Sequence, residues 1–217
     1  MNLLLMTFGP PLIILGYVIY SDRFKEPSGM IIKSFIVGIL LIFPAGILNQ
    51  LLIFSNEDPS SVTYIAGFTE ETLKFLALYF YIRKKSHFNE PMDGIVYGTL
   101  ISLGFATLEN YEYVFLNGYD SMEIAMIRSV TAIPLHAFCG ITMGFYFGLH
   151  YFSKRKSYLL KSIFIPIIMH ASYNFLISLN LLGIGFLVSV FLNTRRLHNE
   201  LKQKQLDKKI EKETKFK

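Results

Sequence analysis

The stretch Val62–Ile82, VTYIAGFTEETLKFLALYFYI, is long enough to cross a bilayer, yet it carries three charges near its middle. At ~1.5 Å per residue it covers a hydrocarbon core of about 30 Å. Glu70, Glu71 and Lys74 fall near the midpoint, where each charge costs on the order of 2.5–3.5 kcal/mol on insertion scales. Charges persist at such depth only when paired, hydrated or used. Glu70 and Lys74 stand at i,i+4 on one helical face, so a structural ion pair accounts for those two. Glu71 lies about 100° further round and has no local partner. Two adjacent carboxylates therefore ask for partners on other segments.

The rest of the chain supplies a membrane setting. Of 217 residues, 52% are hydrophobic and 15% aromatic, with mean hydropathy +0.41, the profile of an integral membrane protein. Further apolar blocks run Leu3–Tyr20, Ile31–Phe54, Gly94–Leu116, Ile124–Phe152, Leu159–Phe175 and Leu176–Leu192. They predict an all-α, polytopic fold of about seven transmembrane helices. The last two blocks have almost nothing between them, so six or eight spans stay open. Pro10 and Pro11 predict a kink in the first span. That span has no basic flank and no small-residue cleavage site, so it reads as retained and not as a signal peptide. The single Cys139 excludes an internal disulfide.

Charge sets the orientation. Lys and Arg cluster in the first loop (Arg23, Lys25), the third (Arg83, Lys84, Lys85), the fifth (Lys154, Arg155, Lys156) and the C-terminal segment, while Ser55–Ser61 and Asn117–Met122 have none. The positive-inside rule then places the N-terminus outside and the C-terminus in the cytoplasm. Residues 1–194 form the transmembrane domain. Residues 195–217 form a basic cytoplasmic tail with nine Lys/Arg against four Asp/Glu, a surplus of 9 − 4 = +5. Such a tail, partly helical or disordered, suits anionic headgroups. Its interspersed acids and its membrane anchor argue against nucleic acid.

Three later spans carry polar residues at steps of four. Gly94, Gly98, Ser102, Ala106 and Asn110 form one small-residue stripe that lets helix backbones approach closely, and it ends beside Glu109. Asp93, after Pro91, is the expected N-cap. His136, Gly140, Gly144 and Gly148 form a second stripe, and Ser162, Pro166, His170, Asn174 and Ser178 a third. Cys139 reads as a small buried hydrophobe, Arg128 as an interfacial anchor, and Asn49, Gln50 and Glu112 as outer-end polar residues. Counting rise from the span ends, Glu71, Glu109, His136 and His170 each lie about 10–14 Å below the outer surface. Four costly residues in one layer make a site.

The blocks GFTEETLK (Gly67–Lys74), NEPMDGIVYG (Asn89–Gly98), SLGFATLEN (Ser102–Asn110), the His136 segment and HASYN (His170–Asn174) resemble the PrsW family of intramembrane proteases, more distantly related to the CAAX prenyl endopeptidases. The resemblance covers roughly residues 24–191. It implies a multi-pass protease of the bacterial cell membrane that makes a first, extracytoplasmic-side cut in membrane-anchored anti-sigma factors. Every polar block is present, so nothing suggests a dead enzyme.

Peptide hydrolysis needs an activated water and a stabilised oxyanion. H-E-x-x-H and G-x-S-x-G motifs are absent, which leaves Glu70, Glu71, Glu109, His136 and His170 as catalytic candidates. Lys74, Asn110 and Asn174 would support substrate or oxyanion. In a metal-free form Glu71 or Glu70 is the base, with the histidines as acid or electrophile. In a metal form His136, His170 and a glutamate hold Zn²⁺ and a remaining glutamate is the base. Two histidines on separate helices lack a local ligand motif, which favours no cofactor. The expected partners are the bilayer and a single-pass protein substrate. An ion or proton transporter is the alternative from another class, weakened by the lack of repeated halves. A non-catalytic membrane scaffold is a third.

Overall fold

The computed structural model describes residues 2–116, 121–179, 181 and 184–215, and every regular element among them is helical. Helix α1 (Leu3–Ser21) starts at Asn2, whose side chain accepts from the Leu4 amide, and continues as helix through Pro10 and Pro11. Helices α2 (Ser28–Leu40) and α3 (Ile42–Asn49) are one span interrupted at Leu41, ending in a π-helical turn at Gln50–Phe54. The decisive stretch becomes α4 (Tyr64–Phe80). Helix α5 (Pro91–Phe115) follows, then α6 (Ser121–Val130) and α7 (Ala132–Ser153), separated at Thr131. Helix α8 (Lys156–Ser178) and the long α9 (Ile184–Lys215) complete the chain.

The protein is an all-helical polytopic membrane protein. The runs Leu3–Ser21, Ser28–Phe54, Ser121–Ser153 and Lys156–Ser178 are each long and apolar enough to cross a membrane. Helices α4 and α5 fall outside that group: α4 is shorter, at 17 residues, and carries Glu70, Glu71 and Lys74, and α5 carries Asp93, Glu109 and Glu112. Helix α9 does so because its apolar start soon gives way to Arg195 and Arg196. Two boundaries differ from expectation. The cap of α5 is Glu90, and Asp93 sits at the third position. There its carboxylate accepts from the amides of Asn89 at 2.6 Å and Glu90 at 2.7 Å, closing a capping box. The final turn falls after Ser178 and not at Leu176, because α8 keeps its hydrogen-bond ladder for another turn. Most of the expected fourth loop, Asn117–Met122, lies outside the described residues.

Helix α5 is the axis, with an almost unbroken buried run from Met92 to Ala106. The two glycine stripes meet each other across α5 and α7. A Cβ added at Gly144 would lie 1.9 Å from the Gly94 carbonyl oxygen, so nothing larger than glycine fits. The same device joins α4 to α8, where a Cβ at Gly67 would fall 2.4 Å from the Ala171 nitrogen. Close packing in lipid has no hydrophobic drive of its own, so contact area between backbones matters. Both contacts seat site helices, with Glu70 and His170 less than a turn away.

Helix α9 continues through residue 195 without a break and docks its polar half on the end of the bundle that carries the first loop. His198 Nε2–H donates to Ser21 Oγ at 2.7 Å, because the serine proton is spent on the Val18 carbonyl. Gln205 donates to Asp22 at 2.8 Å and to Glu90, and accepts from the Arg23 amide. Leu201 is buried beneath them.

Candidate active site

Helix α4 turns its charges inward. Gly67, Glu70, Glu71, Lys74, Phe75 and Leu78 are buried, while Phe68, Leu76 and Phe80 point outward. The buried set recurs at helical spacing, so one face carries both the close approach to α8 and the carboxylates. Glu70, Glu71, Lys74, His136 and His170 are each 0–3% exposed. The structure thus brings together residues from α4, α7 and α8 that sequence reasoning could place only at a common depth.

A chain of hydrogen bonds assigns each group its part. Lys74 Nζ donates to Glu71 Oε1 at 2.8 Å and to His136 Nδ1 at 3.0 Å, and lies 3.7 Å from Glu70 Oε2. His170 Nδ1–H donates to the same Glu71 oxygen at 3.0 Å. The histidine rings stand edge to face, 4.9 Å apart. On its far side His136 Nε2–H donates to Glu109 Oε2 at 2.9 Å, which also accepts from Arg128 at 2.6 Å. With its proton on Nε2, His136 presents the Nδ1 lone pair to the cluster. Ser102 Oγ donates to the His136 carbonyl at 2.6 Å, and the Phe105 ring lies 4.1 Å from the Lys74 ammonium.

Arg128 and Asn49 earn roles that sequence reading did not give them. Arg128 clamps Glu109 and also donates to Asn110 Oδ1 at 2.9 Å. Its signal was its isolation, as the sole Lys or Arg between Lys85 and Lys154. Asn49, dismissed as an outer-end polar residue, donates to Glu70 Oε1 at 3.4 Å and accepts from Thr69 at 2.6 Å. Of the three expected support residues, Lys74 joins the cluster, and the two asparagines bond backbone carbonyls. The amide nitrogen of Asn110 donates to the Thr7 carbonyl, tying α5 to α1, and that of Asn174 donates to the Thr63 carbonyl. Asn174 does line the cavity wall, but neither amide hydrogen-bonds to the carboxylates or histidines. Cys139 packs as a small hydrophobe with its thiol toward the Pro166 carbonyl.

A cavity of about 1190 Å³ opens above the cluster, with Glu70, Glu109, His136 and His170 at its foot. Its walls climb past Tyr113 and Asn174 to Ser60 and Leu116, on the side of the loops that lack Lys and Arg. Glu71 lies beneath, fully buried. The two adjacent carboxylates thus part company, one facing the cavity and one facing the histidines.

The donor set suits a divalent cation. Glu70, Glu71, His136 and His170 each offer one ligand atom, all within 4.8 Å of one another. A tetrahedral zinc with bonds of ~2.0–2.1 Å spaces its ligands about 3.3 Å apart, so a small inward movement suffices. Glu70 Oε2 and Glu71 Oε2 are buried with no hydrogen-bond partner among the described residues, acceptors that a cation would satisfy. The sequence favours a metal-free site only through its missing local motif. That ground does not hold, because the fold assembles the ligands from three helices.

Comparison with known proteins agrees. The model of the PrsW family intramembrane metalloprotease matches residues 26–194. Protease PrsW of Bacillus subtilis (strain 168) is 37% identical over 176 residues, 78% of this chain and 79% of that protein. Protease PrsW of Geobacillus kaustophilus is 35% identical, covering 77% and 76%, and that of Clostridioides difficile 34%, covering 82% and 79%. No solved structure matches the chain.

Proposed function

The chain belongs to the PrsW family of intramembrane metalloproteases and is a multi-pass protease of a bacterial membrane, and from that premise we propose that it cuts a single-pass membrane protein near the outer face of the bilayer. An anti-sigma factor is the substrate that the resemblance implies. The enzyme reading replaces the transporter and scaffold alternatives. The observation that carries the proposal is the convergence of Glu70, Glu71, His136 and His170, ligand atoms within 4.8 Å, at the foot of the cavity.

Glu71, His136 and His170 would hold the cation, since Glu71 already bonds His170 and has its ligand atom within 4.8 Å of those of both histidines. Zinc is the ion of choice for imidazole and carboxylate donors. When bound, it supplies Lewis-acid activation of water and of the scissile carbonyl. Glu70 is the general base: it faces the cavity, and its carboxylate takes a proton from water and returns it to the leaving amine. Glu109 is the positioning residue that fixes the His136 ring through Nε2–H, and Arg128 fixes Glu109 in turn.

With seven spans, the N-terminus outside and the C-terminus in the cytoplasm, the cavity mouth faces the extracytoplasmic side. A substrate helix hides its peptide bonds in its own hydrogen bonds. The segment that reaches the site is therefore extended chain, where the substrate's span ends or frays, and the cut leaves a membrane-bound stub. Reconstitution with a single-pass substrate and mass spectrometry of the products tests this. Cleavage within or just outside the outer third of the span, lost on chelation and restored by zinc, is expected. A principal cut on the cytoplasmic side would refute the orientation. Undiminished activity without stoichiometric metal would refute the cofactor.

A further inference from the structure

Lys74 stands where a cation would stand. Its ammonium touches Glu71 Oε1 at 2.8 Å and His136 Nδ1 at 3.0 Å, and lies 3.7 Å from Glu70 Oε2. Those three residues belong to the four that could ligate a metal. The His136 lone pair is the sharpest point: a nitrogen that accepts from an ammonium has nothing left to give a metal. We infer that Lys74 is a built-in placeholder, holding the ligand set together without metal and giving way when one binds. This rests on the metal reading above and adds an exchange to it.

The surroundings favour both halves of the exchange. Without any cation, Glu70 and Glu71 would be adjacent buried carboxylates with no positive charge on their own helix face, a costly state at membrane depth. Lys74 prevents that from one turn away, so the site is ordered before loading. Glu70 Oε2, buried and without a hydrogen bond, lies within reach of the displaced ammonium. A short swing of the flexible lysine stem moves it from Glu71 and His136 to Glu70 and keeps it paired. Arg128 cannot serve as the placeholder, because it bonds Glu109 and Asn110 on the far side of His136.

Zinc affinity measures the exchange directly, with no need for a substrate. Purified full-length protein in detergent, stripped with a chelator, is titrated with zinc against a chromophoric competitor. Lys74→Met removes the ammonium and keeps the stem, and is expected to bind zinc at least tenfold more tightly than the parent. Lys74→Gln, which retains a neutral donor, covers the case in which the methionine variant folds poorly. The zinc-induced rise in melting temperature should also be larger in either variant. Equal or weaker zinc binding in the variants, with the parent binding stoichiometrically, overturns the inference and leaves the metal reading intact. Failure of parent and variants alike to bind zinc overturns the metal reading and the inference with it. As a control, His136→Ala with His170→Ala should abolish binding in either background.

Discussion

Replacing Glu70 and Glu71 by glutamine, one at a time, should separate two carboxylates that are neighbours in sequence. Glu71 Oε1 accepts from both Lys74 and His170, and its side chain is fully buried. In Glu71→Gln the nearest carboxylate oxygen to the Lys74 ammonium is Glu70 Oε2, at 3.7 Å. Breaking a buried pair by removing one partner costs about 3–5 kcal/mol. Glu70 accepts a 3.4 Å bond from Asn49 and lies 3.7 Å from Lys74 and 3.9 Å from His170, all longer than the contacts of Glu71, so Glu70→Gln should cost less, about 1 kcal/mol. Activity should fall in both, by on the order of 10²-fold or more for loss of a general base. The assay pairs a thermal melt in detergent with cleavage in proteoliposomes and metal content by elemental analysis. Glu71→Gln should melt lower and lose metal, whereas Glu70→Gln should melt close to the parent, keep its metal and still fail to cleave. Near-parental cleavage by Glu70→Gln would refute its role as base. Equal stability of the two variants would refute the division of labour read from the hydrogen bonds.

Gly144→Val should prevent stable folding, because its Cβ alone would meet the Gly94 carbonyl oxygen at 1.9 Å, while Gly46→Ala, with nothing within 4 Å of the added carbon, should express normally. Arg128→Met leaves Glu109 without its 2.6 Å partner; cleavage should drop with zinc content retained, and loss of the metal instead would make Arg128 part of the ligand scaffold. In a Cys139→Ala background, a membrane-impermeant thiol reagent added outside should modify Asn56→Cys and not Lys85→Cys; the reverse would invert the orientation. Burial, helped by Lys202, lowers the His198 imidazole from its ordinary 6.5 to about 4. Between those pH values the undocked α9 binds the extra proton, so docking weakens as pH falls through that window. Protease protection of α9 should show it, and His198→Gln should flatten the response.

Much of this site is legible in the sequence because membrane depth makes polar residues expensive. Glu70, Glu71, Glu109, His136 and His170 stand out against apolar runs, and helix rise alone puts them in one layer. Rotation about each helix axis is harder to read. Asn110 and Asn174 share the right depth, yet their amides turn to the Thr7 and Thr63 carbonyls. Arg128 reads as an anchor in the sequence because it lies near the end of an apolar run. The break at Thr131 swings α6 so that the guanidinium points back at Glu109. The C-terminal segment misled for another reason. Its charge reads as a tail that lies near anionic headgroups, but Leu201 and Gln205 share a face at i,i+4 that finds cover only once the first loop and Glu90 are brought beside it.

Formal charge ties these features together. The cluster and its clamp contain Glu70, Glu71 and Glu109 against Lys74 and Arg128; with both histidines neutral that is 2 − 3 = −1. A set left at −1 attracts a cation, and the low dielectric of a membrane interior strengthens that attraction. A divalent ion takes the sum to +1, which in turn favours an approaching peptide oxygen as negative charge develops on it. Lys74 keeps the unloaded site within one charge of neutrality, and Arg128 does the same for Glu109 without touching the ligand atoms. A chain lacking Arg128 would carry −2 before loading, with the excess beside His136 and not on the ligands. Its carboxylate would then draw Lys74 away from Glu71, so the clamp protects the position of the charge as well as its total.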